Sequence, residues 1–504
     1  MRRTFSHYIL IHIIPALFLT ILQSEVLTAQ KSWSSKVSGV GSFSSPRIAD
    51  LNLDGTGDII MGAGRKEFQA CDSAVIALDG RTGKLLWHVP AEDQIFGSAI
   101  FKDVDADGVE DVFISGRSAE LIAISGGTGE VIWRFSRKTK DLEGKKTRWF
   151  NFYNPQFIPD QDGDGLEDLL VSNGGDVMVA AYDTNRAPGR LVVLSSRTGN
   201  LLADAQMPDG KEIYMSVTVT PTPDGQDHEV VFGTGGETVG GNLFVGYLSD
   251  ILRNDLSKAK LLDSSPDKGY IAPAARVDVT GDGITDIFNC SVNGRLLAYD
   301  GRDHQLLWET VIPSTEAYSS VAVGYFNQDS IPDFFISYAR GVWPLLDWSQ
   351  QHMVDGRTGA VEFTDSLGFY QMTSPVAFDY DGDGWDEVLM SVNIQEIRNF
   401  YQKFFHTMLV VFDFQSGQVF QFGQTFEGNN LSSTPWVGDL DNDGRLDIIY
   451  CHGDNLRHTY TFDGIKVHRM ATQFPIHGQI EWGAYQGSSY DGVFKKPVIS
   501  GTQH

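Results

Sequence analysis

Carboxylates recur along this chain at a spacing suited to binding a hard cation. Six loops carry oxygen side chains at positions 1, 3, 5 and 9. The first holds Asp50, Asn52, Asp54 and Asp58, and the second Asp103, Asp105, Asp107 and Asp111. The third holds Asp160, Asp162, Asp164 and Asp168, and the fourth Asp278, Thr280, Asp282 and Asp286. Asp379, Asp381, Asp383 and Glu387 form the fifth, and Asp439, Asp441, Asp443 and Asp447 the sixth. Each has Gly at position 6, where a sharp turn would aim alternate side chains at one focus. Oxygen-only donors favour Ca²⁺ over Zn²⁺ or Cu²⁺, and Mg²⁺ demands a tighter octahedron. The loops place 22 carboxylates at ligand positions, which repel one another unless a cation intervenes. About six Ca²⁺ are therefore expected, in a structural role, bringing the formal charge from −26 to about −14.

The loops lie in a repeat. They start at residues 50, 103, 160, 278, 379 and 439, so two of the intervals are double length. Degenerate copies fill those gaps, at Thr220–Gly225 before Glu229 and at Tyr325–Ser330 before Asp333. An apolar run follows each loop directly, as in Ile59-Ile60-Met61 and Val112-Phe113-Ile114. Such short, bounded, β-branched runs are read as strands. A third strand ends in a turn such as Asp79-Gly80-Arg81-Thr82-Gly83, and a fourth carries Trp87, Trp133 or Trp308. The glycines of these turns supply the positive φ that a hairpin needs. Four short strands per repeat, eight times over, predict an all-β fold: a single eight-bladed β-propeller, with seven blades as the fallback. The acidic loops would be the hairpins between the first and second strands. Residues 31–504 form this one domain, and 471–504 are expected to pair with the N-terminal segment and close the ring. The repeated Trp is assigned to packing between blades.

Composition narrows the function. The chain is 41% hydrophobic and 12% aromatic, enough for a large core. A net charge of −26 argues against a nucleic-acid partner, which needs a basic face. Three widely spaced cysteines, Cys71, Cys290 and Cys451, exclude a disulfide framework, although one bridge stays open. Residues 1–30 read as a signal peptide: Arg2 and Arg3, an apolar run from Ile9 to Leu22, then small residues around Ala29. No later stretch is long enough for a membrane span. A secreted, extracellular or cell-envelope protein is expected.

The Asp-rich loops resemble the start of a calcium-binding helix-loop-helix hand, but a strand follows. With the preceding Ser45-Pro46 and Thr434-Pro435, they look like FG-GAP/VCBS repeats, found in integrin α-subunit propellers and secreted bacterial proteins. The segment Leu78-Asp79-Gly80-Arg81-Thr82-Gly83-Lys84-Leu85-Leu86-Trp87 looks like a quinoprotein (PQQ-like) repeat. The integrin likeness implies that ligands meet the face opposite the acidic loops. Residues carried to that face are Arg148, Trp149, Tyr153, Arg186, Trp343, Arg398, Tyr401, His452 and Arg457. A basic run from Arg137 to Lys146 precedes the first of these. Aromatics with a few polar groups suit an extracellular glycan or a protein ligand. A non-enzymatic binding or adhesion module is the favoured function. One alternative is a calcium-dependent rhamnogalacturonan-type lyase recruiting Lys145, Arg148, His452 or Arg457. Another is a cofactor-free PQQ-like scaffold. A quinone-dependent dehydrogenase is disfavoured, because no adjacent Cys pair is present and the PQQ-like motifs are incomplete.

Overall fold

The second strands of the repeats are apolar on both faces, so neighbouring sheets must cover them on both sides. The computed structural model meets that demand with eight sheets arranged as blades. It describes residues 31–135, 150–176, 179–398, 402–457 and 462–495. The signal-peptide segment, Arg148, Trp149, Tyr401 and the basic run 137–146 lie outside the described residues. Seven blades are continuous in sequence: 47–91, 100–135, 151–206, 218–265, 275–311, 315–365 and 376–427. All neighbouring strands within them are antiparallel, with the first strand innermost. Second strands such as Asp58–Gly62 and Asp111–Ser115 are buried at every residue. Fourth strands alternate instead, as in Leu85–Ala91, because their outer face meets solvent.

The eighth blade closes the ring. Trp436–Gly438, Arg445–Gly453 and Gly464–Pro475 supply three strands, and the N-terminal Trp33–Ser38 supplies the fourth. Trp33 pairs with Arg469 and Ser38 with Gly464. The partner of the N-terminal segment is thus Gly464–Pro475, not the region 471–504 as expected. Residues after 475 turn into the channel instead. There the Val437 amide donates to the Gly483 carbonyl, the Ala377 amide to Trp482 and the Phe494 amide to Arg276, at 2.7 to 2.9 Å. The inner strands of three blades would otherwise leave these backbone groups without partners in the channel.

The repeated tryptophans lock blade to blade. The Nε1–H of Trp87 donates to the Gly126 carbonyl, Trp133 to Ser196 and Trp308 to Gly356, each in the next blade. Trp33 does the same to Gly80 across the closure, at 2.9 Å. Each ring lies against a glycine of the neighbouring turn: a Cβ at Gly83, Gly129, Gly199 or Gly359 would come within 2.6 Å of it. All three cysteines are buried and free, so the one bridge left open in the sequence is not formed. Among the described residues no helix is long and apolar enough to cross a membrane.

Candidate functional site

Antiparallel order sorts the loops onto two ends of the ring. Connections between first and second strands share one end with those between third and fourth. The remaining connections emerge at the other.

At the first end the six acidic loops adopt one conformation. Each turns through a position-6 glycine with φ between 78° and 91° (Gly55, Gly108, Gly165, Gly283, Gly384 and Gly444). Nothing lies within 4 Å of a Cβ there, so backbone conformation, not space, calls for glycine. The position-1 carboxylate accepts that glycine's N–H at 2.8 to 3.1 Å in every copy. The position-9 carboxylate has a second duty. Asp58 accepts the amides of Leu51 and Gly80, Asp111 those of Val104 and Gly126, and Asp286 those of Val279 and Gly301. In the degenerate sixth blade Asp333 still accepts the amides of Phe326 and Gly356. Position 9 therefore fastens the loop to its own sheet whether or not the other acids are kept. In the degenerate fourth blade Glu229 pairs instead with buried Arg276, at 3.2 Å, and with His304.

Four loops bring three carboxylate oxygens within 4.8 Å of one another: Asp103/Asp105/Asp111, Asp160/Asp162/Asp168, Asp379/Asp381/Glu387 and Asp439/Asp441/Asp447. That donor set fits a hard divalent cation. Burial, with neighbouring carboxylates adding to it, pushes Glu387 up to about 9 and Asp111 to about 6. The fourth cluster differs. Arg469 donates to Asp441 at 2.6 Å and to Asp447 at 3.0 Å, and Lys31 reaches Asp441 and Asp443 at 2.8 and 2.7 Å. Elsewhere the turn arginine reaches position 5: Arg81 to Asp54 at 3.6 Å, Arg197 to Asp164 at 3.0 Å and Arg302 to Asp282 at 2.7 Å. The turns of the second and seventh blades, Gly126-Gly127-Thr128-Gly129 and Phe414-Gln415-Ser416-Gly417, contain no arginine.

The opposite end holds a cavity of about 590 Å³ on the ring axis. Eight half-buried rings line it: Phe43, Phe96, Tyr153, Tyr214, Tyr318, Trp343, Tyr370 and Tyr485. Its inner wall is a hydrogen-bonded belt that the sequence reading missed. In six of the eight blades the backbone N–H two residues before the inner strand donates to the side-chain oxygen of the equivalent residue in the next blade. Ser45 donates to Ser98, Ser98 to Asn154, and Asn154 to Ser216. Ser320 donates to Ser374, Ser374 to Thr434, and Thr434 back to Ser45. Pro273 occupies that place in the fifth blade and interrupts the belt, having neither N–H nor side-chain oxygen. A short polar residue two positions before every inner strand but one was the available signal. Beneath the belt, the C-terminal segment joins it through Gln486, which accepts from Asn154 at 3.2 Å.

Two loops meet over the mouth. Tyr182, in the loop after the second strand of the third blade, donates through its hydroxyl to the Trp343 carbonyl at 3.2 Å, and their rings lie 6.3 Å apart. Trp343 belongs to the long hairpin of the sixth blade.

Of the residues expected on this face, Tyr153, Arg186 and Trp343 line the cavity. Arg186 is already committed, to the carbonyls of Asp176, Ala180 and Asp183 and to Glu212 at 3.2 Å. Arg398 and Arg457 sit over Phe404, beside the seventh-blade hairpin and outside the cavity lining. His452 is not on the ligand face. It is 2% exposed inside the eighth blade, its ring parallel to His468 with Nε2 atoms 3.0 Å apart. Strand alternation turns it inward, where burial pulls it down to about 4 and His468 to about 3.

A family model, PQQ_2, described as outer membrane protein assembly factor BamB, matches residues 71–337, more than half of the chain. The chain belongs to the PQQ_2 family. The match runs from the third strand of the first blade into the second strand of the sixth. The FG-GAP/VCBS resemblance stays a reading of the acidic loops. No curated protein matches the chain. Among solved structures, this PQQ_2 chain is similar to rhamnogalacturonan lyase YesW, with 13% identity, 92% of this chain and 78% of that one covered, and a TM-score of 0.54. It is also similar to a europium-containing methanol dehydrogenase, at 12% identity over 90% and 95% of the two chains and a TM-score of 0.53. Sqt1 of Saccharomyces cerevisiae, at 9% identity, covers 90% and 100% with the same score. An enzyme of each of two chemistries and a third protein share the propeller, so the likeness speaks for fold alone.

Proposed function

We propose that this PQQ_2 protein is a calcium-stabilised binding propeller working outside the cytoplasm, in the cell envelope or beyond it. Its cavity end would take a glycan or protein ligand, and its acidic end would hold structural Ca²⁺. The observation that carries the reading is the cavity of about 590 Å³, lined by eight half-buried rings on a rigid belt. Its volume and its mix of aromatic and polar groups are those of small-ligand sites. Calcium, bound by the carboxylates of the second, third and seventh blades, would cross-link hairpins and take no part in chemistry. The degenerate loops of the fourth and sixth blades would bind weakly or not at all.

The lyase reading is weaker on the same ground. A lyase needs a base and a free cation beside a uronate. Of the groups that reading recruits, His452 is buried and Arg457 lies outside the cavity lining, while Lys145 and Arg148 lie outside the described residues; the cavity's own Arg186 is committed to its loop. The deciding experiment is binding of the mature protein to a mixed glycan and surface-protein array, in calcium and in chelator. A selective hit in calcium is expected. Ultraviolet-absorbing product released from pectic substrates would overturn the binder in favour of the lyase.

A further inference from the structure

We infer that the cavity receives the end of a neutral oligosaccharide. This deepens the binding reading above and rests on it. The charged groups lining the cavity are Glu67, Glu212 and Glu237 against Arg117 and Arg186. Both arginines are matched internally: Arg186 with Glu212 at 3.2 Å and Arg117 with Glu67 at 3.1 Å. Arg186 also spends donors on three backbone carbonyls and the Tyr214 hydroxyl. Among the described residues a uronate or phosphate would meet more carboxylates than cations, and both of those cations already have a carboxylate partner, so desolvating it would find little compensation.

Cations fare little better. Glu212 is held by Arg186 and Tyr214, and Lys268 stands behind the wall, 2.6 Å from both the Glu316 carboxylate and the Glu237 carbonyl. What the cavity offers is ring faces and small polar groups. Tyr318 and Tyr370 meet edge to face at 5.7 Å and 70°, as do Tyr153 and Tyr214 at 6.3 Å and 66°. Such perpendicular pairs give apolar walls for the C–H faces of sugar rings. Hydroxyl and amide groups of the belt lie within reach of sugar hydroxyls.

Closure dictates the end-on mode. The C-terminal segment fills the channel below, and the Tyr182–Trp343 contact spans the mouth above. A polymer cannot thread through; only a terminus or a short chain fits.

The test is calorimetry and tryptophan fluorescence with the mature protein in calcium, using an array-selected neutral oligosaccharide series, the matching uronate series and a lysine-rich peptide. Binding to neutral sugars is expected, with affinity levelling off as the chain lengthens. Trp343→Ala should weaken it about tenfold, the loss of one aromatic contact. The fluorescence titration of the unaltered protein tests the same point should that variant fail to fold. Tighter binding of uronates or of the peptide would overturn this inference and leave the binding reading standing. No binding of any probe by protein with an intact melting transition would overturn both.

Discussion

The acidic loops of the seventh and eighth blades read almost alike, Asp379-Tyr-Asp381-Gly-Asp383-Gly384 and Asp439-Leu-Asp441-Asn-Asp443-Gly444. Their surroundings are opposite. The eighth blade supplies its own cations: Arg469, from the neighbouring strand, joins Asp441 and Asp447, and Lys31, from beside the closing strand, joins Asp441 and Asp443. The seventh has no arginine in its adjoining turn, and Glu387 is driven up to about 9 by burial and its acidic neighbours. The same motif is therefore neutralised from within in one blade and has no such internal partner in the other, where we propose that a metal ion takes its place. A loop pattern sets where carboxylates gather; the next strand decides what balances them.

The sharpest way to break that comparison is to remove the internal cation. Arg469→Ala leaves buried Asp447 without its charge partner and should cost about 3–5 kcal/mol, read by urea unfolding in chelator. Calcium should then recover part of the loss, because the vacated carboxylates can accept it. No calcium-dependent recovery would refute the idea that arginine and metal are interchangeable there.

Asp381→Asn in the seventh blade tests the other side. It should remove one bound Ca²⁺ by calorimetric count and about 2.7 kcal/mol of stability when calcium stands 100-fold above its Kd. In chelator the variant should be at least as stable as the parent, because one carboxylate that repels Glu387 is gone. Asp441→Asn should leave the ion count unchanged.

Within the eighth blade, the stacked pair His452 and His468 gives a pH signature that calcium does not share. Phe426, Tyr450, Lys466 and Asp454 surround the pair, and burial favours its neutral form. An unfolded histidine titrates near 6.5. Between that pH and about 4 the unfolded chain binds more protons, so stability falls as pH falls, by on the order of 3 kcal/mol for each histidine. Above about pH 6.5 the contribution is fully present. His468→Phe should flatten this slope in chemical denaturation followed from pH 7 to pH 4.

The smallest effect belongs to the exposed turn arginines. Arg197→Ala breaks a pair with Asp164 in which the arginine is 49% exposed, and should change stability by under about 1 kcal/mol. It should instead tighten calcium binding in the third blade, bringing that loop closer to the seventh.

The loops, the strands around them and the blade count were legible because each rests on a short repeated pattern: position-6 glycines, apolar second strands, turn glycines under tryptophans. Tyr153 and Trp343 were also legible as rings in connecting loops. Other expectations failed where long-range packing intervened. His452 lies near the end of an apolar strand, and only the neighbouring strand shows that it faces inward onto His468. Arg186 does line the cavity as expected, but only the folded loop shows that its donors are spent on three carbonyls. The belt was not legible because most of its links join residues some fifty positions apart, and Ser45 and Thr434 stand out only beside their prolines.

By itself the sequence determined the repeating unit, a ring of eight blades or at least seven, and the places where carboxylates cluster, since these depend on local periodicity and turn chemistry. Tertiary structure alone decided which clusters carry an internal cation. It also decided which strand closes the ring, and that the C-terminal segment fills the channel to leave a cavity with a mouth at one end. Those outcomes depend on which distant residues ring closure brings together, and no local pattern records that.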